Sequence, residues 1–175
     1  TVIAPSTGDV DFFTASLTSE SVLLPSEKLR ALWPNVHTVA THTQPAMDLA
    51  ALLQLGAEQS IGPQWLLLDC LPAAALLRSA QAELPQVDVV VARVLLCATD
   101  HAPTLCGMGA DLEDVADALP GFQLLALQPS RHPALGHALF VRDYRRAAQH
   151  ASQAQQAAQQ AQADLQAQLT KAQAD

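Results

Sequence analysis

The spacing of apolar and polar residues predicts a strand, a helix and a second strand between residues 65 and 96. Residues 65–68 are all apolar and precede Asp69, which is typical of a short strand buried on both faces. Residues 87–96 are rich in valine and leucine and suit a central strand. Between them, Pro72 suits a first helical turn, and apolar residues recur at helical spacing: Leu76, Leu77, Ala80 and Leu84. Such a βαβ unit has parallel strands and places ligands beyond their carboxyl ends, where Asp69 lies.

The segment before this unit predicts a hairpin, a longer strand and a helix. Residues 2–3 and 10–13 are apolar and flank a turn-rich stretch, a pattern that predicts a β-hairpin. Residues 36–43 alternate between apolar and polar as a strand does. Apolar residues recur at helical spacing over 45–55, and Gly56 is expected to end that helix in the left-handed conformation.

The segment after the unit predicts a loop, another helix and two strands. Residues 98–109 contain proline, glycine and polar residues, which favour a loop. Asp111 is a competent N-cap for a helix that ends at Pro120. Residues 122–127 and 138–141 are expected to pair antiparallel at the edge of the sheet.

The composition changes abruptly at Arg145, so we predict two domains, 1–144 and 145–175. Beyond that point most residues are alanine or glutamine, both good helix formers, and one long carboxyl-terminal helix is expected. Small residues recur at heptad spacing, which predicts a coiled-coil seam that lets two helices approach closely: Ala147, Ala151, Ala154, Ala158, Ala161 and Leu165. The alternative is a solvent-exposed tail in which alanine is merely frequent.

Charge and cysteine content exclude several classes of protein. The net charge is −8, with 9 basic against 17 acidic residues, which argues against nucleic acid as a partner. The chain shows no apolar run long enough to cross a bilayer, so we expect no membrane partner. It begins without methionine, so we expect the given sequence to be a piece of a longer protein. Cys70, Cys97 and Cys106 are odd in number and lack paired spacing, which predicts three reduced thiols in a cytoplasmic protein.

The chain contains, in this order, the segments DFFTASLTSESVLLP, AMDLAALLQL, WLLLDCLPAAALLRSA and ALFVR. Together they resemble the FkbM-type methyltransferases, which depend on S-adenosylmethionine. The family's phenylalanine-rich strand and the serine- and leucine-rich stretch after it resemble DFFTASLTSESVLLP, and its next helix resembles AMDLAALLQL. Its central strand and helix resemble WLLLDCLPAAALLRSA, and its last element resembles the GF pair at 121–122 with ALFVR at 138–142. The resemblance covers the chain from about Pro5 to Asp143 and implies a Rossmann-like methyltransferase sheet.

The departures from the family pattern bear on activity. The family holds its cofactor over a glycine-rich turn and grips the ribose with an acid, and the chain lacks that amino-terminal half of the sheet. In the family's KIDVEGxE segment, Leu67 stands in place of the lysine, and residues 70–75 contain no acid. Asp69 alone survives, as a remnant of a catalytic site or, alternatively, as a carboxylate that caps the helix after Pro72.

Two further groups of residues are candidates for chemistry. Asp100, His101, His132 and His137 lie on loops and could approach one another, but they show no repeated ligand spacing, so we expect no metal. Cys106 and a nearby histidine could form a nucleophilic pair, although no local signature supports one.

These observations predict an α/β protein: a Rossmann-like methyltransferase sheet, incomplete at its amino-terminal half, with an antiparallel edge and a long carboxyl-terminal helix. The expected function is a methyltransferase-like scaffold that binds no cofactor, is inactive by itself and forms homo-oligomers or binds a protein partner. Loss of strands from the sheet favours the same outcome, because exposed edges and apolar faces invite pairing. The alternative is part of an S-adenosylmethionine-dependent O-methyltransferase acting on a sugar or polyketide hydroxyl.

Overall fold

The computed structural model describes residues 1–20, 23–59, 65–97 and 106–145, and scattered positions of the tail up to residue 162. The chain divides into two compact units, Thr1–Arg142 and Asp143–Asp175. The first unit is a mixed α/β structure with two mixed sheets, which confirms the α/β class, although the strands form two sheets where one was predicted.

The first sheet has the strand order β1-β3-β2. It contains β1 (Val2–Ala4), β2 (Gly8–Ala15) and β3 (Thr38–Asp48), with β1 parallel and β2 antiparallel to β3. The predicted hairpin of β1 and β2 is therefore wrong, because β3 lies between them. The backbone from Ala4 to Gly8, when extended, spans about 13 Å. This is enough to pass over β3, because the two outer strands lie roughly 10 Å apart.

Short helices follow β2 and β3 of the first sheet. The 3-10 helices Thr18–Glu20 and Ser26–Ala31 connect β2 to β3, and α1 (Leu49–Glu58) follows β3. Asp48 Oδ1 accepts a 2.7 Å hydrogen bond from the Ala51 amide, and with this cap the helix begins at Leu49, four residues later than the apolar spacing predicted. The predicted end at Gly56 is also wrong, since Gly56 does not take the left-handed conformation and the helix runs on.

The second sheet has the strand order β4-β5-β7-β6. It contains β4 (Trp65–Leu68), β5 (Val89–Leu95), β6 (Phe122–Pro129) and β7 (Leu135–Arg142). β4 and β5 are parallel and are joined through α2 (Ala74–Ser79) and the 3-10 helix Leu84–Gln86, which confirms the βαβ unit. β6 and β7 pair antiparallel with β6 at the edge, as predicted.

The hydrophobic core lies between one face of the second sheet and the helices. Leu53 of α1, Leu77 of α2 and Val115 of α3 (Leu112–Asp117) belong to one cluster with Val90 and Phe140 of the sheet. All five side chains are at most a few per cent exposed, with Leu77, Val90 and Val115 at 0%. The helices of the described chain thus cover the sheet face that carries Val90 and Phe140.

The predicted N-cap of the third helix is confirmed. Asp111 accepts hydrogen bonds from the amide of Asp114 (2.8 Å) and from that of Gly107 (2.9 Å). Burial acts to raise the pKa of Asp111, but the amides of Asp114 and Gly107 outweigh it, and the net effect lowers the pKa.

Replacing Asp111 with alanine is expected to lower the free energy of unfolding by about 1 kcal/mol. The depressed pKa means that this stabilisation is present above the unfolded-state value near ~3.9 and is lost as the pH falls through the folded-state value. The variant should therefore lose less stability on acidification than the parent chain. Chemical unfolding at several pH values measures both effects, and Asp117→Ala, at an exposed position of the same helix, is the control. An equal acid dependence for Asp111→Ala and the parent chain would contradict the assignment.

The second unit is described only in part. Its described residues 144, 145, 148, 149, 152, 155, 156, 159, 160 and 162 are helical. The six residues of the predicted heptad seam all lie outside the described residues: Ala147, Ala151, Ala154, Ala158, Ala161 and Leu165. The seam stays a prediction.

Candidate functional site

The second sheet carries an apolar face on the side opposite the helices. Strand register places six apolar side chains there, and we call them the open face: Trp65, Leu67, Val89, Val91, Leu139 and Val141. The Val and Leu residues of β5 and β7 are half-buried, whereas Trp65 is 70% exposed and Leu67 is 68% exposed. The apolar surface spans β4, β5 and β7, and an exposed apolar surface of this kind is uncommon on a monomer.

The prediction that β4 is buried on both faces is wrong. Leu68 is 8% exposed and belongs to the helix-covered core, and Leu66 packs against the same core. Trp65 and Leu67 alternate with them and therefore point to the other side of the sheet. The apolar run suggested a covered strand, but within the described chain β4 is an edge strand with helices on one side.

A row of polar residues closes the open face at the carboxyl end of β4. Arg93 of β5 lies directly opposite His137 of β7. The Asp69 carboxylate lies 3.8 Å from Nε of Arg93 and 3.6 Å from Nε2 of His137. We call Asp69, Arg93 and His137 the polar row.

Arg93 is held by groups from a distant part of the chain. Its guanidinium donates two hydrogen bonds to the Glu20 carboxylate, at 2.7 and 3.1 Å. The side chains of Glu20 and Arg93 are only 6% and 13% exposed, so this is a buried bidentate ion pair. The guanidinium carbon also lies 5.3 Å from the centre of the Trp33 ring, a cation–π contact.

The structure places the predicted site residue Asp69 at the exposed end of the polar row. Its side chain is 66% exposed. The alternative role as a helix cap is wrong, because α2 has Ala73 as its N-cap with no side-chain hydrogen bond, and the Gly109 carbonyl accepts from the Ala74 amide instead. The Asp69 carboxylate therefore lies within ion-pair distance of Arg93 and His137 and does not cap the helix.

Glu20 and Trp33 were missed by the sequence reasoning. Both lie in a segment of turns and short 3-10 helices that carries no periodic pattern. The one available signal is Arg93 itself, a single charge in the otherwise apolar run of β5. A buried cation requires an anionic partner, but the sequence does not say which of the 17 acidic residues supplies it.

A cavity of about 870 Å³ opens beside the same end of β4. Residues of β1 and β2 line one wall, and the residues that follow β4, Cys70 to Pro72, line another. Burial and the neighbouring charge of Asp69 raise the pKa of the Cys70 thiol, and Arg93 opposes them in part. Cys70 is therefore a neutral, weakly nucleophilic thiol at neutral pH.

The cysteines correct one prediction. Cys97 and Cys106 form a disulfide, and Cys70 alone is free, so the expectation of three reduced thiols is wrong. The turn after Cys106 returns to the end of β5, where the Leu95 amide donates to the Ala110 carbonyl, and this brings the two cysteines' Cα atoms within 6.0 Å. The bonded sulfur also removes Cys106 as a nucleophile.

The candidate metal ligands are not brought together in the described part of the chain. His132 packs on Trp33 and its Nδ1 accepts from the Ala134 amide, whereas His137 belongs to the polar row. Asp100 and His101 lie outside the described residues. Among the described residues no group of three or more potential ligands occurs.

Comparisons with known proteins returned no match: no family model, no curated protein and no solved structure matches the chain. None of the helices in the described ranges has the length and hydropathy needed to span a membrane.

Proposed function

We propose that this chain is a non-catalytic α/β scaffold that self-associates by packing its open face against the same face of a second copy. The observation that carries the proposal is the exposure of Trp65 and Leu67 beside four further apolar side chains. Fully burying one such side chain contributes roughly 1.5–3 kcal/mol. A two-fold axis would pair these residues with their own copies.

The distribution of charged side chains supports the packing of one open face against another. None of the six open-face side chains is charged, so two copies meet apolar surface with apolar surface. The polar row lies at one end, where the half-exposed Asp69 and His137 would remain at the rim of the interface. Two sheets packed in this way align within about 30° and lie about 10 Å apart.

Further elements of the proposal come from the sequence. The heptad spacing of the alanine-rich tail supplies a second contact between copies, as a coiled coil of long carboxyl-terminal helices. The resemblance to FkbM-type methyltransferases supplies the proposed origin of the scaffold, a Rossmann-like sheet without its cofactor motif. A cytoplasmic location belongs to the same proposal, and the Cys97–Cys106 disulfide is the observation against it.

Leu67→Lys is expected to weaken self-association at least about tenfold, or ~1.4 kcal/mol, because the ammonium group would have to be desolvated in the interface. Sedimentation velocity over a wide range of protein concentrations measures the dissociation constant. Val39→Lys is the matched control, since Val39 is also on a strand and 62% exposed but lies in the first sheet. A parent chain that stays monomeric at every concentration, or equal weakening by both variants, would contradict the proposal.

The alternative, part of an O-methyltransferase acting on a sugar or polyketide hydroxyl, is favoured by one observation. His137 Nε2 lies 3.6 Å from the Asp69 carboxylate, and such a pair can accept a proton from a hydroxyl. The cavity nearby does not fit S-adenosylmethionine, because none of its described lining residues is a glycine that would let the backbone approach a nucleotide closely. Calorimetric titration with S-adenosylhomocysteine separates the two functions: micromolar binding would restore the enzyme, with Asp69 as the first residue to replace.

A further inference from the structure

We infer that the cavity beside β4 is a binding site for an uncharged, predominantly apolar small molecule. Its volume of about 870 Å³ lies in the range of small-molecule sites, roughly 300–1,000 Å³. It opens at the carboxyl end of a parallel strand, where α/β structures commonly bind ligands. The site is separate from the open face.

The walls of the cavity are mainly apolar and come from five segments of the chain, β1 and β2 among them. Phe12 and Phe13 of β2 line it together with Leu71, which follows β4. Leu71 is 5% exposed, and its neighbour in the wall, Leu76 of α2, is 6% exposed, so this wall is part of the packed interior. Two phenylalanines offer a ligand flat surfaces and edge contacts that aliphatic residues do not supply.

The polar groups of the lining determine the charge of the ligand. The described lining residues contribute no lysine, arginine or histidine side chain, and Asp11 is the acid among them. One oxygen of Asp11 accepts a 2.7 Å hydrogen bond from the Thr43 hydroxyl at the exposed margin. A carboxylate or phosphate on the ligand would therefore meet the like charge of Asp11 and no cationic side chain, the Thr1 ammonium being the cation among the described lining residues, whereas a hydroxyl would meet acceptors.

Cys70 provides a direct report on occupancy. It lines the cavity and is the free cysteine of the chain, the other two being joined in the disulfide. A molecule bound in the cavity would shield the Cys70 thiol from an alkylating reagent. The alkylation rate of Cys70 therefore reports whether the cavity is occupied, without any added label.

The test uses Nile red, an uncharged dye that fluoresces in apolar surroundings, and follows the alkylation of Cys70 by iodoacetamide. We expect saturable binding at one site, a reduction of the alkylation rate of about tenfold at saturation, and displacement of the dye by decanol but not by decanoate at neutral pH. Val10→Trp, which would fill part of the cavity from β2, should weaken dye binding about tenfold. Val39→Trp is the matched control outside the lining.

Three results would overturn the inference or the ligand charge that it assigns. The first is saturable dye binding that leaves the alkylation rate of Cys70 unchanged and is removed by Leu67→Lys, which would place the dye on the open face. The second is the absence of saturable binding in the parent chain. Displacement by decanoate as effectively as by decanol would overturn the assigned charge of the ligand.

Discussion

Replacing Arg93 with leucine is expected to lower the free energy of unfolding by about 3–5 kcal/mol. The substitution removes the only partner that makes two hydrogen bonds to Glu20 among the described residues, and leaves a carboxylate that is 6% exposed without a cation to balance its charge. It also removes the cation–π contact with Trp33. Chemical denaturation of the parent chain and the variant measures the difference directly.

The double variant Glu20→Leu/Arg93→Leu distinguishes an ion pair from simple packing. Because both charges then disappear, we expect most of the stability to return, within roughly 1–2 kcal/mol of the parent chain. Arg78→Leu is the control, since Arg78 lies 3.7 Å from Asp114 with 47% of its side chain exposed, and its loss should change stability by less than about 1 kcal/mol. Equal losses for Arg93→Leu and Arg78→Leu would mean that the Glu20 pair is not buried in solution.

The sequence predicted the parts of the fold that depend on local pattern. The βαβ unit, the Asp111 cap and the antiparallel edge of β6 and β7 each follow from residues close together in the chain, and all three are confirmed. The hairpin of β1 and β2 failed because a remote strand, β3, offers both segments a partner. Periodicity identifies a strand but does not name its neighbour.

The candidate site was predicted only in part, for the same physical reason. Asp69 was identified by its position after a strand, and the structure adds Arg93 and His137 as its neighbours. Glu20 reaches this site from a segment 73 residues away from Arg93, so no local spacing connects the two. The exposure of Trp65 and Leu67 also depends on which faces the helices cover, which an all-apolar run cannot specify.

The Cys97–Cys106 disulfide is expected to contribute about 2–3 kcal/mol to the free energy of unfolding. The two residues are 9 apart in sequence, and a closed loop of that length restricts the unfolded chain. Reduction, or the double variant Cys97→Ser/Cys106→Ser, should therefore lower the free energy of unfolding by a similar amount. Cys70→Ser, at the free cysteine, is the control and should respond to reductant as the parent chain does.

Counting thiols in the denatured protein tests the bond itself. The parent chain isolated without reductant should show one reactive thiol, from Cys70, and three after reduction, because it contains 3 cysteines. The result bears on location as well as stability, since disulfides persist mainly in oxidising compartments. Three reactive thiols before reduction, together with no effect of reductant on unfolding, would contradict the disulfide and return the cysteines to the reduced state that a cytoplasmic protein maintains.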